Sequence, residues 1–180
     1  MKNYSTDITK KLLRHLRKAN TQGLAFHPQT GTIEFLQPGH GQIPYYSFEI
    51  QVSKKRYTVK LRCPVTPAPG DAEATASIAK YLSLINQTKG FGFDDGHLEG
   101  YFDLNCSNGL IEYEFFVDCY MRLAQDVIRM SLDWPVVDMD RVIPGVLDIL
   151  FRGVSPDEAM EAYRQRIEIE STIPLRETIA

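Results

Sequence analysis

Period-two alternation over residues 46 to 63 constrains this chain more than any other feature. Tyr46, Phe48, Ile50 and Val52 alternate with Ser47, Glu49 and Gln51. After Ser53-Lys54-Lys55 the pattern resumes, with Tyr57, Val59, Leu61 and Cys63 set against Arg56, Thr58, Lys60 and Arg62. Successive side chains of a strand point to opposite faces, so each run lays an apolar row on a core and a polar row in water. Two such runs joined by a short polar turn read as an antiparallel hairpin.

A second hairpin is written the same way. Leu98, Phe102, Leu104 and Cys106 alternate with Glu99, Tyr101, Asp103 and Asn105, and Ser107-Asn108-Gly109 supplies a turn that accepts positive φ. The return strand runs Ile111, Tyr113, Phe115, Val117 inward against Glu112, Glu114, Phe116, Asp118 outward. A shorter strand over residues 33–36 precedes the first hairpin, ended by the turn-forming Pro38-Gly39-His40-Gly41 cluster.

Helical spacing accounts for most of the rest. Ile8, Leu12, Leu13 and Leu16 predict an amphipathic helix over residues 5–19, with Lys10, Lys11, Arg14, Arg17 and Lys18 on its solvated face. Pro64, Pro67, Pro69 and Gly70 end the first hairpin, and Asp71 caps a helix to about Asn86 that buries Ile78, Tyr81, Leu82 and Ile85; Lys89-Gly90 closes it. In the last third, a helix over 121–132 breaks at Trp134-Pro135. A second covers 138–152, kinked or restarted at Pro144-Gly145, and Ser155-Pro156-Asp157-Glu158 is a capping box opening a third, to about Glu168. The fold class is therefore α+β: an antiparallel five-stranded sheet in the order helix, three strands, helix, two strands, C-terminal helices. One domain spans residues 1–168, with 169–180 as a C-terminal tail.

Composition excludes some partners. The 180 residues suffice for a real core, and a net charge of −3 gives no long-range attraction for nucleic acid. No run approaches the roughly 20 apolar residues that cross a bilayer, so no membrane insertion is expected. Three widely spaced cysteines, Cys63, Cys106 and Cys119, make no disulfide framework and fit a reducing cytoplasm.

Catalytic signatures are missing from the pattern. Gly90, Gly92, Gly96 and Gly100 precede a strand rather than a helix and do not fit a phosphate-cradling loop. Asp94, Asp95, His97 and Glu99 cluster without calcium-loop spacing, and a small-molecule or metal-binding regulator using the Asp94–Glu99 region is the second reading of function. His15, His27, His40 and His97 stand singly, and Cys63 and Cys106 fall on inward strand faces. The expectation is no enzyme and no cofactor.

One charge pattern suggests a surface. The outward row of residues 56–62 is basic (Arg56, Lys60, Arg62), while the outward rows of 99–118 are acidic (Glu99, Asp103, Glu112, Glu114, Asp118). If these strands are neighbours, opposite charges face each other and set register. The same face carries Tyr45, Tyr101 and Phe116, so a binding surface is expected at Tyr101, Glu112, Glu114, Phe116, Arg56, Lys60 and Arg62.

The run Tyr81-Leu82-x-x-Ile85-Asn86, Gly100-x-Phe102-x-Leu104 and Asn108-Gly109-x-Ile111-x-Tyr113, followed by Arg141-x-x-Pro144-Gly145, Gly153 and Pro156-x-Glu158-Ala159, resembles the YbjN-like family, as does Cys63-Pro64-Val65. The resemblance spans roughly residues 5–165. It implies a fold like that of the type III secretion chaperones, a bacterial protein, a homodimer, and a non-enzymatic chaperone-like or regulatory role in protein interaction, with a protein or peptide client. No client-binding motif is shared residue by residue.

Overall fold

The computed structural model describes residues 4–89, 100–105, 107–119 and 124–172. Ten elements follow in chain order: α1 (Tyr4–Lys18), β1 (Gln22–His27), β2 (Thr32–Pro38), β3 (Tyr45–Ser53), β4 (Arg56–Cys63), α2 (Ala72–Lys89), β5 (Tyr101–Leu104), β6 (Ile111–Asp118), α3 (Gln125–Arg152) and α4 (Pro156–Thr172). The class is α+β, as the alternating and helical runs predict. The sheet, however, has six antiparallel strands in the order β1-β2-β3-β4-β6-β5, not five.

The additional strand is β1. Only Leu24-Ala25-Phe26-His27 alternates there, and its register against β2 slips between Gln22 and Ala25. Gly23, at φ +63°, sits in that slip, where a left-handed backbone suits glycine and a bulge. A bulge destroys period two within so short a run, which hides the strand from a pattern search.

The β3–β4 hairpin forms as read, with Ser53 opposite Arg56 and Phe48 opposite Leu61. β6 then docks antiparallel on β4, placing Tyr57 beside Val117 and Leu61 beside Tyr113. Every inward residue predicted on β3, β4 and β6 is buried, together with Ile8, Leu12 and Leu16 of α1 and Ile78, Tyr81, Leu82 and Ile85 of α2. All these side chains belong to one core.

The predicted break at Trp134-Pro135 does not occur. Residues 125–152 form a single helix that carries both Pro135 and Pro144 inside it. Each proline removes one hydrogen bond and crowds the preceding turn, costing roughly 3 kcal/mol. Yet Ile128, Leu132, Val136, Met139, Ile143 and Val146 continue one buried stripe across both. At about 1.5–3 kcal/mol per buried aliphatic side chain, the stripe outweighs the two breaks. Gly145 is no restart either. A Cβ there would lie 2.3 Å from the Tyr81 hydroxyl, so glycine is what lets α2 approach α3.

Tyrosine hydroxyls pin α3 from four elements. Tyr46 of β3 donates to Asp140 (2.5 Å), Tyr113 of β6 to Asp138 (2.8 Å), and Tyr81 of α2 to the Val142 carbonyl (3.2 Å). Tyr57 of β4 meets Ser131 at 2.8 Å. The capping box at α4 also forms as read: the Ser155 amide donates to Glu158 Oε2 at 3.0 Å and the Glu158 amide to Ser155 Oγ at 3.3 Å. α4 runs to Thr172, four residues beyond its expected end, and residues 173–180 of the expected tail lie outside the described residues.

β5 is a sheet edge, and two side chains occupy its open backbone groups. The Asn86 amide at the end of α2 accepts from the Phe102 N–H at 2.8 Å and donates to the Phe102 carbonyl at 2.7 Å, as a neighbouring strand would. The Leu104 N–H donates to Asp103 Oδ1 at 2.9 Å. Edge strands that leave such groups open recruit other chains, and these side chains occupy them instead.

Candidate functional site: the outer face of the sheet

β4 and β6 are neighbours, so the basic and acidic rows do meet. Across the pair stand Arg56 and Asp118, Lys60 and Glu114, and Arg62 and Glu112. The Arg62 guanidinium bridges two strands, with Nη2 donating to Glu49 on β3 at 2.7 Å and Nε to Glu112 on β6 at 2.9 Å. Lys60 Nζ lies 3.3 Å from Glu112 and 3.1 Å from Glu114. An alternating chain Glu49–Arg62–Glu112–Lys60–Glu114 therefore crosses three strands.

Burial strengthens this chain. The Glu112 side chain is only 8% exposed, although it sits on the polar face. Burial alone would raise its pKa; hydrogen bonds and charge from Arg62 and Lys60 outweigh that and hold the carboxyl below the ordinary range. For Lys60, burial would lower the pKa, and Glu114 with Glu112 overrides it to keep the ammonium above its usual value. Arg62 follows the same logic between Glu49 and Glu112. Arg56 and Asp118, 3.2 Å apart, are about half and one-third exposed, so that pair contributes little.

Aromatic side chains flank the charges. The Arg56 guanidinium carbon lies 4.9 Å from the centre of the Phe116 ring, a cation–π contact. Phe116 is nonetheless 55% exposed and Tyr101, opposite Glu114 on β5, 52%. Between Lys60, Tyr101, Asp103, Glu112 and Glu114 runs an open groove of about 420 Å³. Tyr45 is not part of this group: it pairs with Pro38 at the other end of β3, six residues and about 20 Å along the strand from the Gln51 row that leads to Phe116.

The expected residues thus form one continuous surface, Arg62 and Glu112 at one end and Arg56 and Phe116 at the other. Glu49 completes the network and stands outside the expected set, although the hairpin register places it beside Lys60. Glu99, the Asp94–Glu99 cluster, Gly90, Gly92, Gly96, Leu98, Cys106 and residues 121–123 lie outside the described residues. Among the described residues, no group of three His, Cys, Asp or Glu is placed to hold a metal. Cys63 and Cys119 are free and buried, and burial pushes the Cys63 thiol up to about 11, away from nucleophilic thiolate. No described helix is long and apolar enough to cross a membrane. Comparison with family models, curated proteins and solved structures finds no match to this chain.

Proposed function

We propose that this chain is a non-enzymatic protein-interaction domain, chaperone-like or regulatory, that works as a homodimer in the cytoplasm and engages its partner through the outer sheet face. The observation that carries the reading is Phe116, more than half exposed on β6 opposite Thr58 of β4, with Arg56 stacked on it and Tyr101 nearby. Aromatic residues and arginine are the types that anchor interfaces, and a rigid sheet presents them at small entropic cost. The neighbouring charges are already paired within the face, which lowers what a partner must desolvate. Likeness to the YbjN-like family supports the chaperone-like and dimeric parts.

Sedimentation equilibrium over a wide concentration range, combined with binding of a labelled, permanently unfolded polypeptide, tests this. The wild-type chain should associate or bind the polypeptide, and Phe116→Asp should weaken that at least tenfold while leaving the far-ultraviolet circular dichroism unchanged. A chain that stays monomeric and binds no polypeptide sinks the proposal, as does a Phe116→Asp variant that behaves like wild type.

A further inference from the structure

A second concavity, about 200 Å³, lies between the helical layer and the β2–β3 loop, away from the sheet face. Val137 and Pro144 of α3 give it an apolar wall, and Arg166 of α4 lines it beside Arg141 and His40. Its charges are unevenly matched. Arg141 Nε donates to Glu170 at 2.9 Å, with Asp138 a further 3.8 Å contact. Asp140 accepts from Tyr46 and, at 2.8 Å, from the His40 amide. Arg166 differs: its Nε and Nη2 are buried and make no hydrogen bond to the described residues. The Tyr81 hydroxyl, whose proton goes to the Val142 carbonyl, lies beside the guanidinium and offers it only a neutral oxygen, a weaker partner for a cation than a carboxylate or phosphate.

Two buried guanidinium donors left without hydrogen bonds are costly, and they are the kind of feature that native proteins keep for a reason. Nε and Nη2 are also the two donors that lie parallel on one side of the guanidinium, the fork that grips an oxyanion in bidentate fashion. We propose that this cleft is a binding site for a small oxyanion, a carboxylate or a phosphate, anchored by Arg166 with His40 at the rim. Arg166 turns about its terminal torsions to meet the ligand, and no hydrogen bond on Nε or Nη2 has to break for it to do so. Val137 and Pro144 favour a ligand with a short apolar body next to its charged end.

Titration of the full chain with sodium acetate and with inorganic phosphate, against sodium chloride at matched ionic strength, tests the assignment. Amide resonances of His40, Val137 and Arg166 should shift saturably with at least one of the two anions, and the melting temperature should rise. Response to acetate alone identifies a carboxylate site, and to phosphate alone a phosphate site. Arg166→Met should melt no lower than wild type in chloride, having shed an unmatched charge, and should lose the anion-dependent rise. Arg166→Lys, which keeps the charge without the fork, should bind at least tenfold more weakly. No saturable shift with either anion beyond the chloride control overturns the proposal. So does a shift that persists undiminished in both variants.

Discussion

The Tyr57 hydroxyl on β4 donates its proton to Ser131 on α3. The two oxygens are 2.8 Å apart in the core, and Ser131 has only one proton, which goes to the Ile128 carbonyl at 2.8 Å. Direction matters for mutation. Ser131→Ala strands a buried phenol donor and should cost about 1–3 kcal/mol, whereas Tyr57→Phe removes the donor and should cost about 0.5–1.5 kcal/mol. The double variant should be more stable than the sum of the two losses predicts. Urea unfolding of the four proteins, analysed as a cycle, measures this; strict additivity would mean that the bond contributes nothing.

The same phenols make a prediction at alkaline pH. Burial raises the pKa of Tyr46, and the Asp140 carboxylate adds to it; Tyr57 and Tyr113 are raised mainly by burial too. A pKa raised above the unfolded value of about 10 means stability that is complete below that pH and lost as the solution becomes more alkaline. Phenolate absorbance from these residues should therefore appear together with loss of circular dichroism. Smooth ionisation of all nine tyrosines in a still-folded chain would contradict the assignment.

Glu112 acts at the other end of the scale. Its carboxyl pKa is held down by Arg62 and Lys60 after burial is overcome, so its stabilising contribution is complete above the ordinary carboxylate value and fades as pH falls below it. Glu112→Gln should cost about 1.5–3 kcal/mol at pH 7, the range for hydrogen bonds to charged groups. The gap between variant and wild type should narrow steadily below about pH 4. Denaturant midpoints taken at several pH values give the curve, and a gap independent of pH would show that the network is not electrostatic.

Gly145→Ala sets two effects of opposite sign against each other. In an open helix the change stabilises by about 1 kcal/mol. Here the new methyl group would meet the Tyr81 ring, which is fully buried and hydrogen-bonded to Val142. Overpacking of that kind costs about 1–3 kcal/mol, so a net loss is expected. Tyr81→Phe in the same background should recover part of it by removing the atom closest to the methyl. Thermal melts of the single and double variants decide.

Strands β3, β4 and β6 were legible because each keeps unbroken alternation over eight or nine residues, while complementary rows raised the pairing of β4 with β6 only as a condition, which the register meets. β1 was not, since its bulge at Gly23 leaves four alternating residues. Pro135 misled for a different reason: a local rule about one missing N–H was applied where the apolar stripe on both sides decides the outcome. The sheet face could be assembled from sequence because cross-strand neighbours follow from register. The α3–α4 cleft could not, as nothing local to Arg166 signals that its donors lie buried beside Tyr81.

The placement of the tyrosine anchors on α3 has a mechanical meaning. Ser131 lies before Pro135, and Asp138, Asp140 and Val142 lie after it. A proline inside a long helix is ordinarily the place where the rod flexes. In this chain the segments on either side of Pro135 are bolted to adjacent strands, β4 on one side and β6 and β3 on the other. Bending there would have to shear the sheet itself, so α3 works as a strut, and the outer face it braces is held stiff.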